Sequence, residues 1–294
     1  MIDPRALRTF HQVCQTGSIS GAARSLNISQ PSVSAAIAQL ETRLGAKLFE
    51  RTRAGIVLTP AGEALEARAR MLDHLLRDAE HEVIAAQKGL GAPLRVGGTP
   101  GALVSLLPRA LSVMEMHQPH LTLNVVERPD RELIAMLRDG EIDLAFVTTA
   151  IEAPPADIDE QTLGRDPFAL IVGRANNSLP DHFSLKDAAR LRWVLPEAQG
   201  AFRRQVDALF LAAGAAVPSD AIRCDSLLTT KAIVRGGTRV TILPMQVAAA
   251  ELSIGVLRAI PLREASFERS IGARWVKGRP LHPLASMLLE QLAP

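Results

Sequence analysis

The 294-residue sequence predicts an α/β protein that begins with a smaller helical module. Residues 4–44 contain three apolar helical patterns bounded by capping residues. A heptad pattern follows Pro60, and from residue 94 onward short apolar strands alternate with helices. We therefore expect three segments, at residues 1–58, 59–89 and 90–294.

Composition and charge exclude several classes of protein. With 47% hydrophobic and 22% charged residues, the chain is close to the average of soluble globular proteins, which excludes a disordered or fibrous chain. The net charge of +2 conceals an asymmetry, because residues 1–60 contain seven Lys or Arg against three Asp or Glu, and the remainder contains 26 against 28. The sequence therefore predicts a polyanionic partner for the N-terminal segment alone.

Several absences in the sequence narrow its function further. The N-terminus has no charged and then apolar leader, and no apolar run approaches the roughly 20 residues that span a bilayer, so we expect a cytoplasmic protein. Cys14 and Cys224 lie far apart in the sequence, and neither has the spacing of a disulfide framework or a metal site. The sequence shows no catalytic triad, carboxylate pair or phosphate-binding loop. We therefore expect no enzymatic activity, no metal and no cofactor.

The first 45 residues predict a helix-turn-helix. An apolar face that includes Cys14 defines a helix over residues 4–16, which Gly17 ends. Ser18 can cap a second helix, and Ser29 can cap a third helix that ends at Gly45. Two short helices joined by a tight turn, with small residues where they approach, are typical of this motif.

The third helix and the hairpin after it carry residues that can contact DNA. Glutamine can pair with adenine, hydroxyls can contact bases or phosphates, and alanine can contact a thymine methyl group. Residues 46–59 predict a hairpin that turns at Ala54-Gly55, and its arginines can contact phosphates or a minor groove. The predicted DNA-contacting residues are Ser18, Ser29, Gln30, Pro31, Ser32, Ser34, Ala35, Lys47, Arg51 and Arg53. For the third helix alone, a solvated polar face is the alternative.

The stretch from Gly17 to Glu63 closely resembles the winged helix-turn-helix of LysR-type transcriptional regulators. The residues that match the pattern of this family are Ala22, Ala23, Leu26, Ser29, Gln30, Pro31, Ser34, Ile37, Leu40, Glu41, Leu44, Gly45, Leu48, Phe49, Arg51, Leu58, Thr59, Ala61 and Gly62. Many members place a basic residue just after the serine that matches Ser34, whereas this helix has none before Arg43. We therefore expect modest affinity from each DNA-binding head.

The resemblance covers essentially the whole chain and implies a bacterial, sequence-specific DNA-binding transcriptional regulator. LysR-type proteins dimerise through the helix after the wing and usually assemble into tetramers. A dimer would bind a dyad-symmetric site on double-stranded DNA. The resemblance also makes RNA polymerase a possible partner.

The segment after the wing predicts one long helix. Thr59-Pro60 is a helix start, and the apolar residues that follow recur at spacings of four and three. This heptad seam consists of Leu65, Ala69, Leu72, Leu76, Ala79, Val83 and Ala86. The seam predicts pairing with a second copy, and the alternative is a helix that packs on its own chain. Residues 89–93 are expected to end the helix as a hinge.

The remaining residues predict two α/β halves with a mainly parallel sheet. Strands at 94–96, 121–126 and 144–147 alternate with helices at 104–117 and 131–139. A second set comprises strands at 168–172, 193–195, 221–224 and 240–243, with helices at 202–213 and 227–235. This order resembles the periplasmic-binding-protein-like effector domain of LysR-type regulators. The resemblance implies one lobe of residues 90–163 and 267–294 and a second lobe of residues 164–266.

Three turns at predicted strand ends form the candidate effector site. In open α/β sheets, ligands bind beyond the carboxyl ends of the strands, and helix N-termini favour an anion. The predicted effector-binding residues are Thr99, Pro100, Gly101, Thr148, Gln199, Gly200, Ala201 and Ser226. Relatives often carry Ser or Thr at the position of Gly101, so here that contact must come from the backbone or from Thr99. We therefore expect a small organic anion as the effector, bound between the two lobes.

Three alternatives remain open from the sequence. The glycine-rich turns could be turns that bind no ligand, since such turns also occur where nothing binds. The chain could be a small-molecule binding protein without a regulatory DNA site, in which the N-terminal module mainly dimerises. Cys224, beside the predicted cleft, could be a thiol-based redox sensor, although a buried cysteine at a strand end is the simpler interpretation.

Overall fold

The computed structural model describes residues 2–52, 55–87, 93–117, 121–197, 200–263 and 268–293. The chain forms two compact units. The first unit comprises Met1–Pro93 and Ala135–Glu141, and the second comprises Leu94–Ile134 and Ile142–Pro294. Within the described ranges, no helix combines the length and apolar character needed to cross a membrane.

The first unit begins with the three predicted helices, which are α1 (Pro4–Thr16), α2 (Ile19–Leu26) and α3 (Gln30–Leu44). Their predicted ends are confirmed. Gly17 and Gly45 take the left-handed conformation, each with φ of 65°. The Ser18 hydroxyl accepts a hydrogen bond from the Gly21 N–H at 3.0 Å. The short cap signals in the sequence therefore fix where these helices start and stop.

The three helices enclose a small apolar core, to which α1 contributes Leu7, Phe10 and Val13. Ala22 and Ala23 are buried where α2 packs against its neighbours, as their small size predicted. Cys14 packs at the edge of this core, and burial raises the pKa of its thiol to about 12. Cys14 is therefore a core residue of the head.

A two-stranded antiparallel hairpin follows, with β1 at Phe49–Thr52 and β2 at Gly55–Leu58. Of the predicted turn, Gly55 opens β2, whereas Ala54 lies outside the described residues. Thr59 joins the hairpin to the next helix: its hydroxyl donates to the Lys47 carbonyl oxygen at 2.7 Å and accepts from the Gly62 N–H at 3.0 Å. The wing is thus attached at its base to the start of the long helix.

Helix α4 (Pro60–Gln87) is the predicted long helix. The residues of its heptad seam are covered by the head in the first half of the helix and exposed farther along. Leu65, Ala69 and Leu72 pack on the core of the head. Farther along, the seam residues Leu76 and Val83 are 37% and 59% exposed. The alternative of packing on the same chain is therefore correct for the first half of the seam only. Of the predicted hinge, residues 89–92 lie outside the described part of the chain.

The second unit contains strands β3 to β11 and helices α5 to α10. Its first elements are β3 (Leu94–Gly98), α5 (Pro100–His117), β4 (Leu123–Glu127), α6 (Asp130–Asp139), β5 (Leu144–Thr148) and β6 (Ile158–Gly173). The residues of α6 from Ala135 onward are assigned to the first unit. The following elements are β7 (Arg192–Leu195), α7 (Ala201–Ala212), β8 (Ala221–Arg223), α8 (Leu227–Gly236) and β9 (Arg239–Pro244). The last elements are α9 (Ala249–Ser253), β10 (Leu257–Pro261), β11 (Glu268–Val276) and α10 (Pro283–Leu292).

These strands are joined in the order β4-β3-β5-β11-β6-β9-β7-β8, with β10 also paired to β6. Strand β3 is parallel to β4 and β5, and β7 is parallel to β8 and β9. The strands between these groups, β6, β10 and β11, pair antiparallel with their neighbours. The expected mainly parallel sheet is therefore wrong at the junction of the two halves, where the connections return.

Strand β6 belongs to both halves. Its first part, Ile158–Pro167, pairs with β11, and its second part pairs with β9 and β10. Only residues 168–172 were predicted as a strand, because Arg165 and Asp166 interrupt the apolar pattern. Strand β11 and helix α10 return to the first half, where Leu288 packs in one core with Leu106 and Phe146.

Candidate functional site

The exposed side of α3 carries the residues predicted to contact DNA. Val33, Ile37 and Leu40 are buried and hold the helix on the head. The exposed residues of its first turns are Gln30, Pro31, Ser32, Ser34 and Ala35. The structure therefore places all five on one accessible surface at the N-terminal end of the helix, where its partial positive charge favours phosphate.

The serines at the helix starts already have hydrogen-bond partners. The Ser29 hydroxyl accepts from the Ser32 N–H at 3.2 Å and lies 2.8 Å from the Ser32 hydroxyl. Ser18 caps α2 in the same way. Within the described residues, Gln30 and Ser34 make no side-chain hydrogen bond. These two are the polar side chains of the surface that remain available to bases.

The second unit has an open groove of about 650 Å³ lined by residues between 177 and 181 and between 252 and 259, and none of the predicted effector-binding residues lines it. A groove next to α3 is more relevant to DNA. This second groove, of about 560 Å³, lies between α2 and the start of α3. Its lining residues are Ser20, Ala23, Arg24, Asn27, Ile28 and Gln30. The exposed Arg24 therefore lies beside Gln30, and sequence reasoning missed it because a single basic residue on a short helix resembles an ordinary solvated position.

The basic residues of the wing differ in their surroundings. The Lys47 ammonium lies 2.7 Å from Glu41 Oε2, and the Leu48 N–H donates to Glu41 Oε1 at 2.9 Å. Burial by itself would raise the pKa of Glu41, but hydrogen bonds from Lys47 and from the backbone lower it below the usual value. Lys47 is thus partly neutralised. Arg51 lies in β1 opposite Ile56, and Arg53 lies outside the described residues.

The predicted effector-binding residues lie at strand ends in the second unit. Thr99 stands between β3 and α5, and its carbonyl oxygen accepts from the backbone N–H groups of residues 102 and 103. Thr148 ends β5, and Gly200 and Ala201 begin α7. The Ser226 hydroxyl caps α8 by accepting from the Thr229 N–H at 3.3 Å. The predicted Gln199 lies outside the described residues.

Two side-chain contacts join the halves of the second unit beside these strand ends. Asp166 Oδ2 lies 3.2 Å from the Ser105 hydroxyl of α5, and its Oδ1 accepts from the Gln246 N–H, just after β9, at 3.0 Å. In the loop after β5, Glu152 forms an ion pair of 3.3 Å with Arg204 of α7. Helix α5 and the start of α7 are therefore each in contact with the opposite half.

Arg269 of β11 lies at the turn that carries Gly101, and the sequence did not reveal it. It is 3% exposed, and its Nη2 donates to Asp166 Oδ2 at 3.0 Å and to the Gly101 carbonyl oxygen at 3.3 Å. A Cβ atom on Gly101 would lie 2.5 Å from Arg269 Nη1. Burial lowers the pKa of Arg269, and Asp166 opposes this shift. The guanidinium thus occupies the space that a side chain at position 101 would need.

Cys224 lies just after β8, partly buried, with its sulfur 3.6 Å from the Ser226 carbonyl oxygen. The other cysteine, Cys14, belongs to the first unit, and both are free thiols. The strand-end position agrees with the simpler interpretation of Cys224. A redox role for it stays a hypothesis.

Both units match known protein families. Residues 4–63 match the family described as bacterial regulatory helix-turn-helix protein, lysR family. Residues 87–294 match the family described as LysR substrate binding domain. This chain belongs to the LysR family. It is a LysR-type DNA-binding transcriptional regulator with an effector-binding domain, and proteins of this family are regulators, not enzymes.

Relatives of this LysR-type regulator match along its full length. The HTH-type transcriptional regulator GalR of Pseudomonas putida is 27% identical over 98% of this chain and 73% of its own. A full-length OxyR variant from Pseudomonas aeruginosa is 24% identical, with a TM-score of 0.70 over 99% of this chain and 95% of its own. Full-length CbnR in complex with its target DNA is 23% identical, with a TM-score of 0.69 over 99% and 98%. These two structures show that the fold is shared.

Proposed function

We propose that this LysR-type regulator binds a dyad-symmetric DNA site as a dimer or tetramer and responds to a small organic anion held between the two halves of its second unit. Gln30, Ser34 and the exposed start of α3 would read base edges. Arg51 and Arg53 of the wing would contact phosphates, and RNA polymerase would be a further partner. Its place of action is the cytoplasm, on the DNA it regulates.

The effector role rests above all on the position of Asp166 between the halves. Its carboxylate joins Ser105 of α5 to Gln246 beyond β9, directly beside the turn at residues 99–101. Helix α5 starts at this turn, and a helix N-terminus carries partial positive charge that attracts anions. A ligand bound at this turn would contact the first half of the unit. It would also contact Asp166, the residue that links the first half to the second.

A bound anion would act by favouring one arrangement of the two halves. A ligand can shift such an equilibrium only by the difference between its affinities for the two states. The Asp166 to Gln246 hydrogen bond and the Glu152 to Arg204 ion pair are the contacts that would change with the angle between the halves. Coupling to DNA would follow if the arrangements space the DNA-binding heads differently.

The uncovered part of α4 supports the oligomer. Along this part of the helix, Leu75, Leu76, Val83 and Ile84 are between 37% and 64% exposed. A seam of this kind is typical of helices that pair with a second copy. Pairing would place two heads on one DNA site, so that two modest affinities combine.

Footprinting of the full-length protein on the DNA upstream of its own gene, with and without aliphatic, aromatic and sulfonated acids, tests the proposal. We expect a protected site with dyad symmetry whose pattern changes with one class of acid. The matched variant, Arg51→Ala with Arg53→Ala, should weaken protection and flatten its dependence on salt. Absence of a protected dyad, or binding indifferent to salt and to this variant, would instead support a binding protein without a regulatory DNA site.

A further inference from the structure

Arg269 is a buried arginine with hydrogen bonds left unmade. Its side chain is 4% exposed. All the hydrogen bonds that Arg269 donates to the described residues come from one terminal nitrogen, Nη2. The Nε atom is buried and has no partner in the described part of the chain. Nη1 likewise donates to none of the described residues. An unpaired buried N–H is costly, which makes a missing acceptor the natural explanation.

Arg274, on the same strand, is an arginine whose Nε and Nη1 both have carboxylate partners, as expected for a structural role. It is also buried, at 6% exposure. Its Nε donates to Glu160 at 2.8 Å, and its Nη1 donates to both carboxylate oxygens of Asp130, at 2.9 and 3.1 Å. Among the described residues, Arg269 has no corresponding partners on Nε and Nη1, so an ion pair with Asp166 alone does not account for its donors.

The free nitrogen Nη1 lies at the start of α5. A Cβ atom on Gly101 would be 2.5 Å from Nη1, closer than real Cβ contacts come. Gly101 is the second residue of the 18-residue helix α5, whose first N–H groups have no partner within the helix. The guanidinium edge and the helix N-terminus therefore meet at one point, and both favour a negatively charged oxygen.

We propose that Nη1 of Arg269, beside the N-terminus of α5, binds the carboxylate of a small organic acid, and that residue 101 is glycine because this guanidinium needs the space. The inference rests on the proposed function, since it specifies the group that holds the anion between the halves. Asp166 balances the charge of Arg269, so the ligand is held by a directional N–H donor together with the helix dipole.

This assignment gives the binding site a direct connection to the second half. Asp166 accepts from Arg269 on one oxygen and from the Gln246 N–H on the other. An acid that draws the guanidinium toward Gly101 changes the hydrogen bonding of the same carboxylate that holds Gln246. The neutral amide of such an acid has no negative charge to interact with the guanidinium, so it binds more weakly than the acid does.

The test uses full-length protein and calorimetric titration with acetate, benzoate and succinate, each compared with its neutral amide at equal ionic strength. We expect at least one acid to bind the wild-type protein more tightly than its amide. Gly101→Ser, which retains both charges but displaces the guanidinium, should weaken that acid about tenfold or more. Arg269→Lys should weaken it to a similar extent. Arg274→Lys is the matched control, and it should bind the acid like the wild type.

Thermal unfolding of each variant separates loss of folding from loss of binding. Gly101→Ser leaves both charged residues, Arg269 and Asp166, in the chain, so it tests the site even if Arg269→Lys fails to fold. If both variants bind the acid within about twofold of the wild type, the assignment of Arg269 is wrong while an effector site elsewhere in the cleft stands. If no acid binds more tightly than its amide, both this inference and the proposal of an anionic effector are wrong. The proposal that the protein binds DNA is not affected by that result.

Discussion

Gly62, in the first turn of α4, lies so close to the Leu48 carbonyl oxygen that a Cβ atom on Gly62 would overlap it. Its N–H donates to the Thr59 hydroxyl, which also holds the Lys47 carbonyl oxygen. The wing and the long helix are therefore joined by backbone contact. Neither Leu48 nor Gly62 can move away without breaking the hydrogen bonds around Thr59.

Gly62→Ala should destabilise the protein by about 1–3 kcal/mol, because the added methyl group meets a backbone atom that cannot rotate away. Unfolding in urea, followed by circular dichroism, measures the change. Gly236→Ala is the matched control, since no atom of the described residues lies within 4 Å of a Cβ atom there. Equal stability of the two variants would show that the contact between Gly62 and Leu48 is not tight in solution.

The features that the sequence predicted are those set by neighbouring residues. The caps at Gly17, Ser18, Ser29 and Gly45 were found because a helix end depends on a few adjacent side chains. The ends of the strands that precede the predicted effector-binding turns were predicted for the same reason. Such signals need no knowledge of distant contacts.

The features that it could not predict depend on residues far apart in the chain. Asp166 and Arg269 are 103 positions apart, and nothing near either residue indicates that they form a buried pair. The division of the α4 seam depends on which of its residues the head covers.

His11 predicts a dependence of stability on pH. It lies on α1, is 2% exposed, and neither ring nitrogen has a hydrogen-bond partner among the described residues. Burial lowers the pKa of His11 below the usual 6.5, Asp73 and Glu66 of α4 oppose this shift, and Arg70 and Arg77 add to it. The unfolded chain therefore takes up a proton more readily than the folded one. Stability should be highest above pH 6.5 and should fall as the pH decreases toward the lowered pKa.

His11→Leu should remove this part of the pH dependence, because leucine fills a similar space without a titrating group. Urea unfolding of both proteins between pH 7.5 and 5.5 measures the difference, which should grow as the pH falls. At neutral pH the variant should be as stable as the wild type or more so, since two unpaired nitrogens are lost. A difference in stability that stays constant with pH would contradict the assignment.

The uncovered part of α4 predicts that oligomerisation depends on the seam residues Leu76 and Val83. Replacing both with Glu should weaken self-association on the order of 100-fold or more, because burying each apolar side chain contributes roughly 1.5–3 kcal/mol. Sedimentation velocity over a range of protein concentrations measures the shift toward monomer. Gln87→Glu adds a charge at an exposed polar position of the same helix and should leave the oligomer intact. Unchanged association of the double variant would place the interface elsewhere.

The last prediction separates reading of the DNA sequence from attraction to its backbone. Gln30 is exposed at the start of α3, whereas Arg51 lies in the wing strand β1. Gln30→Ala should reduce discrimination between the target site and other DNA by about 1–3 kcal/mol while leaving the salt dependence unchanged. Arg51→Ala should instead weaken binding to all DNA and reduce the slope of log affinity against log salt by about one.

Lys47→Ala is the matched comparison for Arg51→Ala, because its ammonium already lies 2.7 Å from Glu41 Oε2. A lysine that must give up this partner to reach a phosphate contributes less to binding, so the slope should change by less than for Arg51→Ala. Titration of labelled target and non-target duplexes at several salt concentrations measures all three variants. A loss of salt dependence that is as large for Gln30→Ala as for Arg51→Ala would overturn the division of roles between the recognition helix and the wing.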